Sequence, residues 1–146
     1  MNEAVNNFIN SKSIAVVGYS RNGKKFGNIV YNELSKKNYT LFPVNPYQSE
    51  IEGVKCYPNL TSIEAKVDGV FIAVPSTQAI PVLEEAHSLG IKNIWIQRGA
   101  ESDGLINFAV GLGLNIVTGK CILMYAQPVK SIHAFHRAIV KLFGKL

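Results

Sequence analysis

An apolar, β-branched run that breaks into a glycine-rich loop constrains this chain more than any other stretch of its sequence. The run is Ile14–Val17, and the loop that follows it spans residues 18–27. This pattern is typical of a buried strand that ends in a tight turn and leads into a helix. Gly18 permits the turn, Ser20 offers a hydroxyl and a backbone N–H, and the loop carries three cations: Arg21, Lys24 and Lys25. The stretch therefore predicts a loop that holds an anion of phosphate size.

The remainder of the chain alternates apolar strands with amphipathic helices. We predict strands at Ile14–Val17, Thr40–Val44, Val67–Val74, Asn93–Ile96 and Leu114–Val117. We predict helices near 26–37, over a segment that includes Leu83 and closes at Gly90, at Leu105–Leu112 and at Val129–Phe143. The start of the second helix stays open, because Pro81 suits a first turn better than a helix interior. The alternation indicates a doubly wound α/β fold, with a mostly parallel sheet of about five strands and helices on both faces.

Length and composition narrow the class of protein. A chain of 146 residues predicts one domain over 1–146, and its 47% apolar and 17% charged residues are typical of a globular protein. No apolar stretch approaches the roughly 20 residues that span a bilayer, and the N-terminus lacks the features of a signal peptide. We therefore expect a cytoplasmic protein without a membrane partner. The net charge of +5 is spread along the chain without a nucleic-acid-binding motif, so we expect no nucleic-acid partner either.

Ligands of doubly wound sheets bind at the carboxyl ends of the strands, which directs attention to the loops 18–27, 44–47, 74–78 and 97–101. An NAD enzyme places an acid at the end of the second strand, whereas this chain has Val44, Asn45 and Pro46 there. The first loop also departs from GxGxxG, since Ser20 replaces the second glycine. The cations suit an adenine nucleotide with an additional ribose phosphate, which leaves NADP and coenzyme A as candidates.

An ordered set of motifs over roughly residues 10–125 resembles the small stand-alone CoA-binding proteins. That family is similar in fold to the CoA-binding domain of the succinyl-CoA synthetase alpha subunit. The motifs are Val16–Arg21 with Lys24 and Phe26–Gly27, Val44–Pro46, Gly53–Val54 with Tyr57, Val67–Asp68 before Ala73–Pro75, and Ile94–Gln97 with Gly99–Ala100. The resemblance implies a Rossmann-like domain that binds coenzyme A.

The resemblance also implies roles for individual positions. Gly18, Ser20 and Arg21 match the motif that cradles the pyrophosphate, within a loop that also includes Tyr19, Lys24, Lys25 and Gly27. Tyr19 stands where many relatives have a small residue. The adenosine and its 3′-phosphate are expected beside Val44, Asn45 and Pro46. The pantetheine is expected to pass Val74, Pro75 and Ser76 and to end near Gln97 and Gly99.

Three functions compete at this point. The leading hypothesis is a module that binds coenzyme A or an acyl-CoA without evident catalysis, as a homodimer or with a partner enzyme. The second is an NADP-dependent oxidoreductase that needs a partner chain, and the third is a purely structural interaction domain. Cys121, His133 and His136 raise a metal or Cys-His site, but no nearby carboxylate accompanies them. We expect a structural cysteine, surface histidines, no metal and no catalytic residue.

Overall fold

The computed structural model describes residues 3–97 and 100–125. Its helices are α1 (Glu3–Ile9), α2 (Phe26–Ser35), α3 (Ser76–Ser88) and α4 (Asp103–Gly111), followed by a 3₁₀ turn at Ile122–Met124. Its strands are β1 (Ser13–Val17), β2 (Thr40–Val44), β3 (Glu50–Ile51), β4 (Val54–Lys55), β5 (Gly69–Ile72), β6 (Asn93–Ile96) and β7 (Asn115–Val117). The helix expected at 129–143 lies outside the described residues.

Five of these strands form a parallel sheet in the order β2-β1-β5-β6-β7. The chain starts at β1, adds β2 on one side and then crosses to β5 on the other. The order therefore reverses at β1, and the loops after β1 and β5 diverge there. This sheet, with helices on both faces, confirms the doubly wound, Rossmann-like fold that the sequence predicts.

The two faces of the sheet bury separate clusters of apolar side chains, because successive residues of a strand point to opposite faces. On β1, Ala15 and Val17 face the cluster beneath α3 and α4, whereas Ile14 and Val16 face the cluster beneath α1 and α2. Trp95 belongs to the second cluster, is fully buried, and donates from Nε1 to the Lys120 carbonyl at 3.1 Å. It is a core residue, as its position within an apolar strand predicts.

The segment between β2 and β5 crosses over with little regular structure. It contains the antiparallel hairpin β3–β4, and its Tyr57 forms a bridge with Val44 at the end of β2. Apolar residues of this crossover, Leu60 and Ile63 among them, pack against the α3 and α4 side of the sheet. The crossover therefore covers the sheet at the point where β2 ends.

Several boundaries differ from the sequence-based expectation: β5 spans Gly69–Ile72 rather than Val67–Val74, and α4 spans Asp103–Gly111 rather than Leu105–Leu112. Helix α2 ends at Ser35 rather than near residue 37, because the Lys36 and Lys37 N–H groups donate to the carbonyls three residues earlier, those of Glu33 and Leu34. Helix α3 begins at Ser76 and keeps Pro81 in its interior, so the preference of proline for a first turn was misleading here. The helix closes at Gly90, whose φ of +78° suits glycine.

Candidate functional site

A cleft of about 880 Å³ opens at the carboxyl ends of β1, β2 and β5. One wall is formed by the loop after β1 and the loop after β2, and the other by the crossover and by α3. Of the sequence-predicted residues, those that line it are Gly18, Tyr19, Ser20, Lys25, Val44, Asn45, Pro46, Val74 and Pro75. These residues come together at the carboxyl ends of β1, β2 and β5.

Other predicted residues lie beside the cleft rather than along it. Arg21 and Lys24 are exposed in the glycine loop, and Gly27, Ser76 and Gln97 are not among the lining residues. Gly99 lies outside the described residues.

Two glycines let the loop after β1 approach its neighbours closely. Gly18 has a φ of +122°, and a Cβ there would lie 2.9 Å from the Ala73 carbonyl oxygen. A Cβ on Gly27 would lie only 2.5 Å from the Gly18 carbonyl oxygen. Because Gly27 has no side chain, the start of α2 can pack directly against the residue that follows β1.

The glycine loop is held in place by Asn28, a residue that sequence reasoning missed. The Asn28 side chain donates from Nδ2 to the Ser20 carbonyl at 2.8 Å and accepts from the Ser20 N–H at 3.0 Å. Asn28 is 4% exposed, so this pair of bonds is shielded from water. The Ser20 N–H, which the sequence analysis offered to an anion, is engaged by Asn28 in this structure.

Asn45 performs a similar task at the end of β2. Its Nδ2 donates to the Tyr19 carbonyl at 3.0 Å, and its Oδ1 accepts from the N–H groups of Tyr47 and Gln48. The side chain thereby joins the loop after β2 to the loop after β1. Asn45 lines the cleft, yet its side-chain oxygen Oδ1 already accepts hydrogen bonds from two backbone N–H groups.

Tyr19 anchors the glycine loop to the β3–β4 hairpin. Its ring is 6% exposed, lies 4.8 Å from the Tyr31 ring by centroids, and packs with Ile51 and Cys56. Burial, followed by the neighbouring Tyr31, Cys56 and Glu52, raises the pKa of Tyr19. The phenol therefore stays protonated at neutral pH and is suited to packing rather than to proton transfer.

Charge is sparse along the cleft. Among the described residues that line it, the cation is Lys25, the N-cap of α2, whose side chain makes no capping hydrogen bond. The acid is Glu85 on α3, and its carboxylate accepts from the Leu60 N–H and the Thr61 N–H, each at 2.9 Å, and from the Thr61 hydroxyl. Glu85 thus ties the crossover to α3, while Lys25 and the N-terminus of α2 favour an anion.

The segments that follow β5 and β6 meet through the hydroxyl groups at the starts of α3 and α4. Ser76 donates from Oγ toward the Ala100 carbonyl at 3.3 Å and lies 3.0 Å from the Ser102 hydroxyl, which caps α4. Nearby in sequence, Gln97 is 6% exposed, and its Oε1 is buried without a hydrogen-bond partner among residues 3–97 and 100–125.

Residues 12–127 match the family model of the CoA binding domain. The chain belongs to that family. It is 36% identical over 81 residues to the ADP-forming acetate-CoA ligase of Methanocaldococcus jannaschii, covering 56% of this chain and 12% of the ligase. It is 29% identical over 126 residues to the alpha subunit of ADP-forming acetate-CoA ligase II of Pyrococcus furiosus, covering 79% of this chain and 28% of the subunit.

A solved structure gives a relative of similar size to this CoA-binding domain. A conserved hypothetical protein from Pyrococcus furiosus is 39% identical, with a TM-score of 0.71, and the match covers 76% of this chain and 96% of that one. The chain thus spans most of a small relative, but less than a third of each of the two ligase proteins.

Most of the far wall of the domain's cleft went unrecognised from sequence, although the loop 74–78 singled out there contains Thr77 and Gln78. This wall consists of residues from the crossover and from one face of α3: Pro58, Asn59, Leu60, Thr77, Gln78, Pro81, Val82 and Glu85. The α3 members recur at helical spacing, which was the available signal, but nothing in the sequence set this face apart from a solvated one. Tyr47 lies within the loop 44–47 that the sequence singled out, but it was not among the predicted site residues.

The structure bears on the possible Cys-His site and on membrane-spanning helices only within the described residues. Cys56 and Cys121 are both buried, and burial raises the pKa of Cys56. No group of metal-ligating side chains occurs within the described part of the chain, and His133 and His136 lie outside it. The helices that the structure describes include none long and apolar enough to cross a membrane.

Proposed function

We propose that this chain binds coenzyme A or an acyl-CoA in the cleft at the carboxyl ends of β1, β2 and β5. The observation that carries the proposal is the glycine loop. Asn28 holds this loop in place through two hydrogen bonds to Ser20, and the loop, including Lys25, lines a cleft of about 880 Å³. Clefts of roughly 300–1,000 Å³ are typical of small-molecule and cofactor sites. Membership of the CoA binding domain family supports the choice of ligand.

The ligand is oriented by the charge and shape of the walls. The pyrophosphate lies against Gly18 and Ser20, where Lys25 and the N-terminus of α2 provide positive potential. The adenosine lies beyond Asn45 and Pro46. The pantetheine passes Val74 and Pro75 toward Ser76 and Gln97, while Arg21 and Lys24 add charge from outside the cleft.

The chain acts as a single binding domain without catalysis of its own, and a partner chain supplies any reaction. The relatives support a binding role for this region, because it matches one part of an acetate-CoA ligase, 12% of its length, and one part of a ligase subunit, 28% of its length. The cleft itself is lined by an engaged carboxylate, Glu85, and by a buried tyrosine whose pKa is raised, Tyr19. Both side chains therefore serve to hold the walls of the cleft in place.

Alanine variants of two neighbouring lysines, Lys24 and Lys25, test the proposal. Calorimetric titration with CoA, dephospho-CoA and NADP should give tightest binding for CoA in the wild type. Lys25→Ala should weaken CoA binding about tenfold, since a charge-assisted bond to phosphate is lost. Lys24→Ala removes the same charge from an exposed position outside the cleft and should have a smaller effect that disappears at moderate salt.

The competing functions give different results in the same titration. Preference for NADP over CoA would support the oxidoreductase hypothesis and contradict this one. Equal losses in the Lys25→Ala and Lys24→Ala variants would show that the cleft does not hold the phosphates.

A further inference from the structure

The peptide bond between Asn22 and Gly23 lies in the exposed part of the glycine loop. These two residues form the one Asn–Gly pair in the sequence, and neither lines the cleft. An asparagine side chain can be attacked by the backbone nitrogen of the residue that follows it, and glycine has no side chain to obstruct that approach. A Cβ on Gly23 would meet nothing within 4 Å, so the surroundings leave the approach open as well.

The hydrogen bonds of the loop leave the reacting groups available. The Gly23 N–H donates to no acceptor within residues 3–97 and 100–125, so no hydrogen bond has to break before this nitrogen attacks. The Asn22 side-chain oxygen Oδ1 accepts from the Lys24 N–H at 3.0 Å. That bond draws electrons from the side-chain carbonyl and stabilises the oxyanion that forms there on attack.

Positive charge surrounds this peptide bond. Arg21, Lys24 and Lys25 are its neighbours in sequence and are exposed, and none of them forms an ion pair with a carboxylate in the part of the chain that the structure describes. The amide nitrogen attacks after it has lost its proton, so the attacking group and the oxyanion are both anionic. Cations beside them lower the free energy of both.

We propose that Asn22 is a site of spontaneous deamidation. The Gly23 nitrogen gives its proton to water and forms a bond with Asn22 Cγ, and the bond between Cγ and Nδ2 breaks as Nδ2 takes a proton from water and leaves as ammonia. Water then adds to either carbonyl of the resulting succinimide and opens the ring, which gives aspartate or isoaspartate at this position. Water is the co-reactant throughout.

The isoaspartyl product changes the turn that positions Lys25. In the intact chain the Asn22 main-chain carbonyl accepts from the Lys25 N–H at 3.1 Å and from Ser20 Oγ at 3.2 Å, which closes the turn before α2. In isoaspartate the main chain runs through the side-chain carbons, so this carbonyl becomes part of a free carboxylate. The turn no longer closes in the same way, and Lys25 loses its place in the cleft beside a new negative charge. This consequence for CoA rests on the proposed function, whereas the deamidation itself does not.

The first experiment incubates the purified chain at physiological temperature and follows its asparagines by peptide mass spectrometry. Asn22 should convert about tenfold faster than Asn59, which precedes a leucine whose N–H donates to Glu85 at 2.9 Å. Gly23→Ala is the matched variant, because its Cβ has open space and should leave the fold and CoA binding unchanged. Its methyl group obstructs the attack, so conversion of Asn22 should slow by about tenfold.

Calorimetric titration then compares CoA binding by the fresh chain and by the deamidated fraction, separated by ion exchange. The fraction rich in isoaspartate should bind CoA about tenfold more weakly, because the charge-assisted contact of Lys25 is lost. Asn22→Asp adds the negative charge but keeps the main chain. It should lose about threefold in affinity at low salt and recover at moderate salt.

An intact Asn22 after incubation, or conversion at the same rate in Gly23→Ala, would overturn the inference. Isoaspartate formation that leaves CoA affinity unchanged would overturn its consequence for Lys25. Failure of the fresh, folded chain to bind CoA would contradict the proposed function alone, because the peptide analysis would still decide whether Asn22 deamidates.

Discussion

The two ends of the central sheet use the same kind of hydrogen bond for opposite purposes. At the amino end, the Asp68 carboxylate before β5 accepts from the N–H groups of Lys12 and Ser13 at the start of β1. At the carboxyl end, Asn28 bonds to Ser20 and Glu85 bonds to the crossover at Leu60. In each case a side chain satisfies backbone groups that no strand or helix satisfies.

The difference lies in which elements are joined. Asp68 joins two neighbouring strands, and Phe8 packs so closely over Gly69 that a Cβ there would lie 3.0 Å from its ring. That end of the sheet is closed. Asn28 and Glu85 instead tie each loop to the helix behind it, so the loops are held apart and a cleft remains between them. Changes at the amino end should therefore affect stability alone, whereas changes at the carboxyl end should also affect ligand binding.

The largest effect is expected from Gly27→Ala at the carboxyl end. The new Cβ would lie 2.5 Å from the Gly18 carbonyl oxygen, so α2 or the loop must move. We expect a loss of about 3 kcal/mol in the free energy of unfolding and loss of CoA binding, measured by urea denaturation and calorimetry. Gly23→Ala is the control, because its Cβ would contact nothing within 4 Å, and it should be nearly neutral. Equal effects of the two variants would contradict the account.

Asn28→Ala should come next. It leaves the Ser20 N–H and carbonyl without their buried partner, at a cost of about 2 kcal/mol in stability. CoA affinity should fall more than tenfold, because the loop is no longer arranged before binding. Hydrogen exchange of the Ser20 amide should accelerate in the variant. Asn32→Ala, at an exposed position one turn along α2, should leave all three measurements unchanged.

Glu85→Gln should have a smaller effect. The amide keeps one acceptor oxygen but presents an NH₂ group to a backbone N–H, of Leu60 or of Thr61, that can only donate; the Thr61 hydroxyl, which donates to the carboxylate, would have to turn and accept. We expect a loss of about 1.5 kcal/mol in stability and weaker CoA binding, while Glu84→Gln should change neither. Unaltered CoA binding in Glu85→Gln would mean that the crossover wall is not part of the site.

Asp68→Asn tests the amino end and should have the smallest effect. Burial opposes ionisation of Asp68, but the amide hydrogen bonds from Lys12 and Ser13, with the Ser13 side chain and the Lys66 charge, outweigh it and lower the pKa of the carboxyl. Because the folded pKa lies below the unfolded one, the stabilisation is present at neutral pH and is lost as pH falls through the folded value.

The asparagine variant should lose about 1 kcal/mol at neutral pH, and the difference from wild type should shrink in acid. Urea denaturation at several pH values measures both. CoA affinity should stay at the wild-type level. A variant that binds CoA less tightly would contradict the separation between the two ends of the sheet.

The fold was predictable because local patterns and tertiary structure agree. Apolar runs such as Ile14–Val17 and Asn93–Ile96 have few alternatives to a buried strand, and the two-sided burial of β1 follows from their composition. The interior position of Pro81 was not predictable, since its penalty in an isolated helix is offset here by the burial of Ala79, Leu83 and Ala86. Tertiary packing outweighed the local preference.

The candidate site was predictable on one wall only. Gly18 predicts a turn and Pro46 predicts the end of a strand, so the loops that contain them could be located from sequence. The wall of α3 and the crossover depends on contacts between segments far apart in the chain, such as that between Glu85 and Leu60. Asn28 resembles any polar residue in the first turn of a helix, and only the folded chain brings it to Ser20.

Titration of the purified chain with CoA, followed by calorimetry at low salt, tests the central claim most directly. The account predicts saturable binding at one site per chain, weaker for dephospho-CoA and weaker still for the Asn28→Ala variant. Absence of CoA binding by a folded wild-type chain, or CoA binding that Asn28→Ala leaves unchanged, would contradict it.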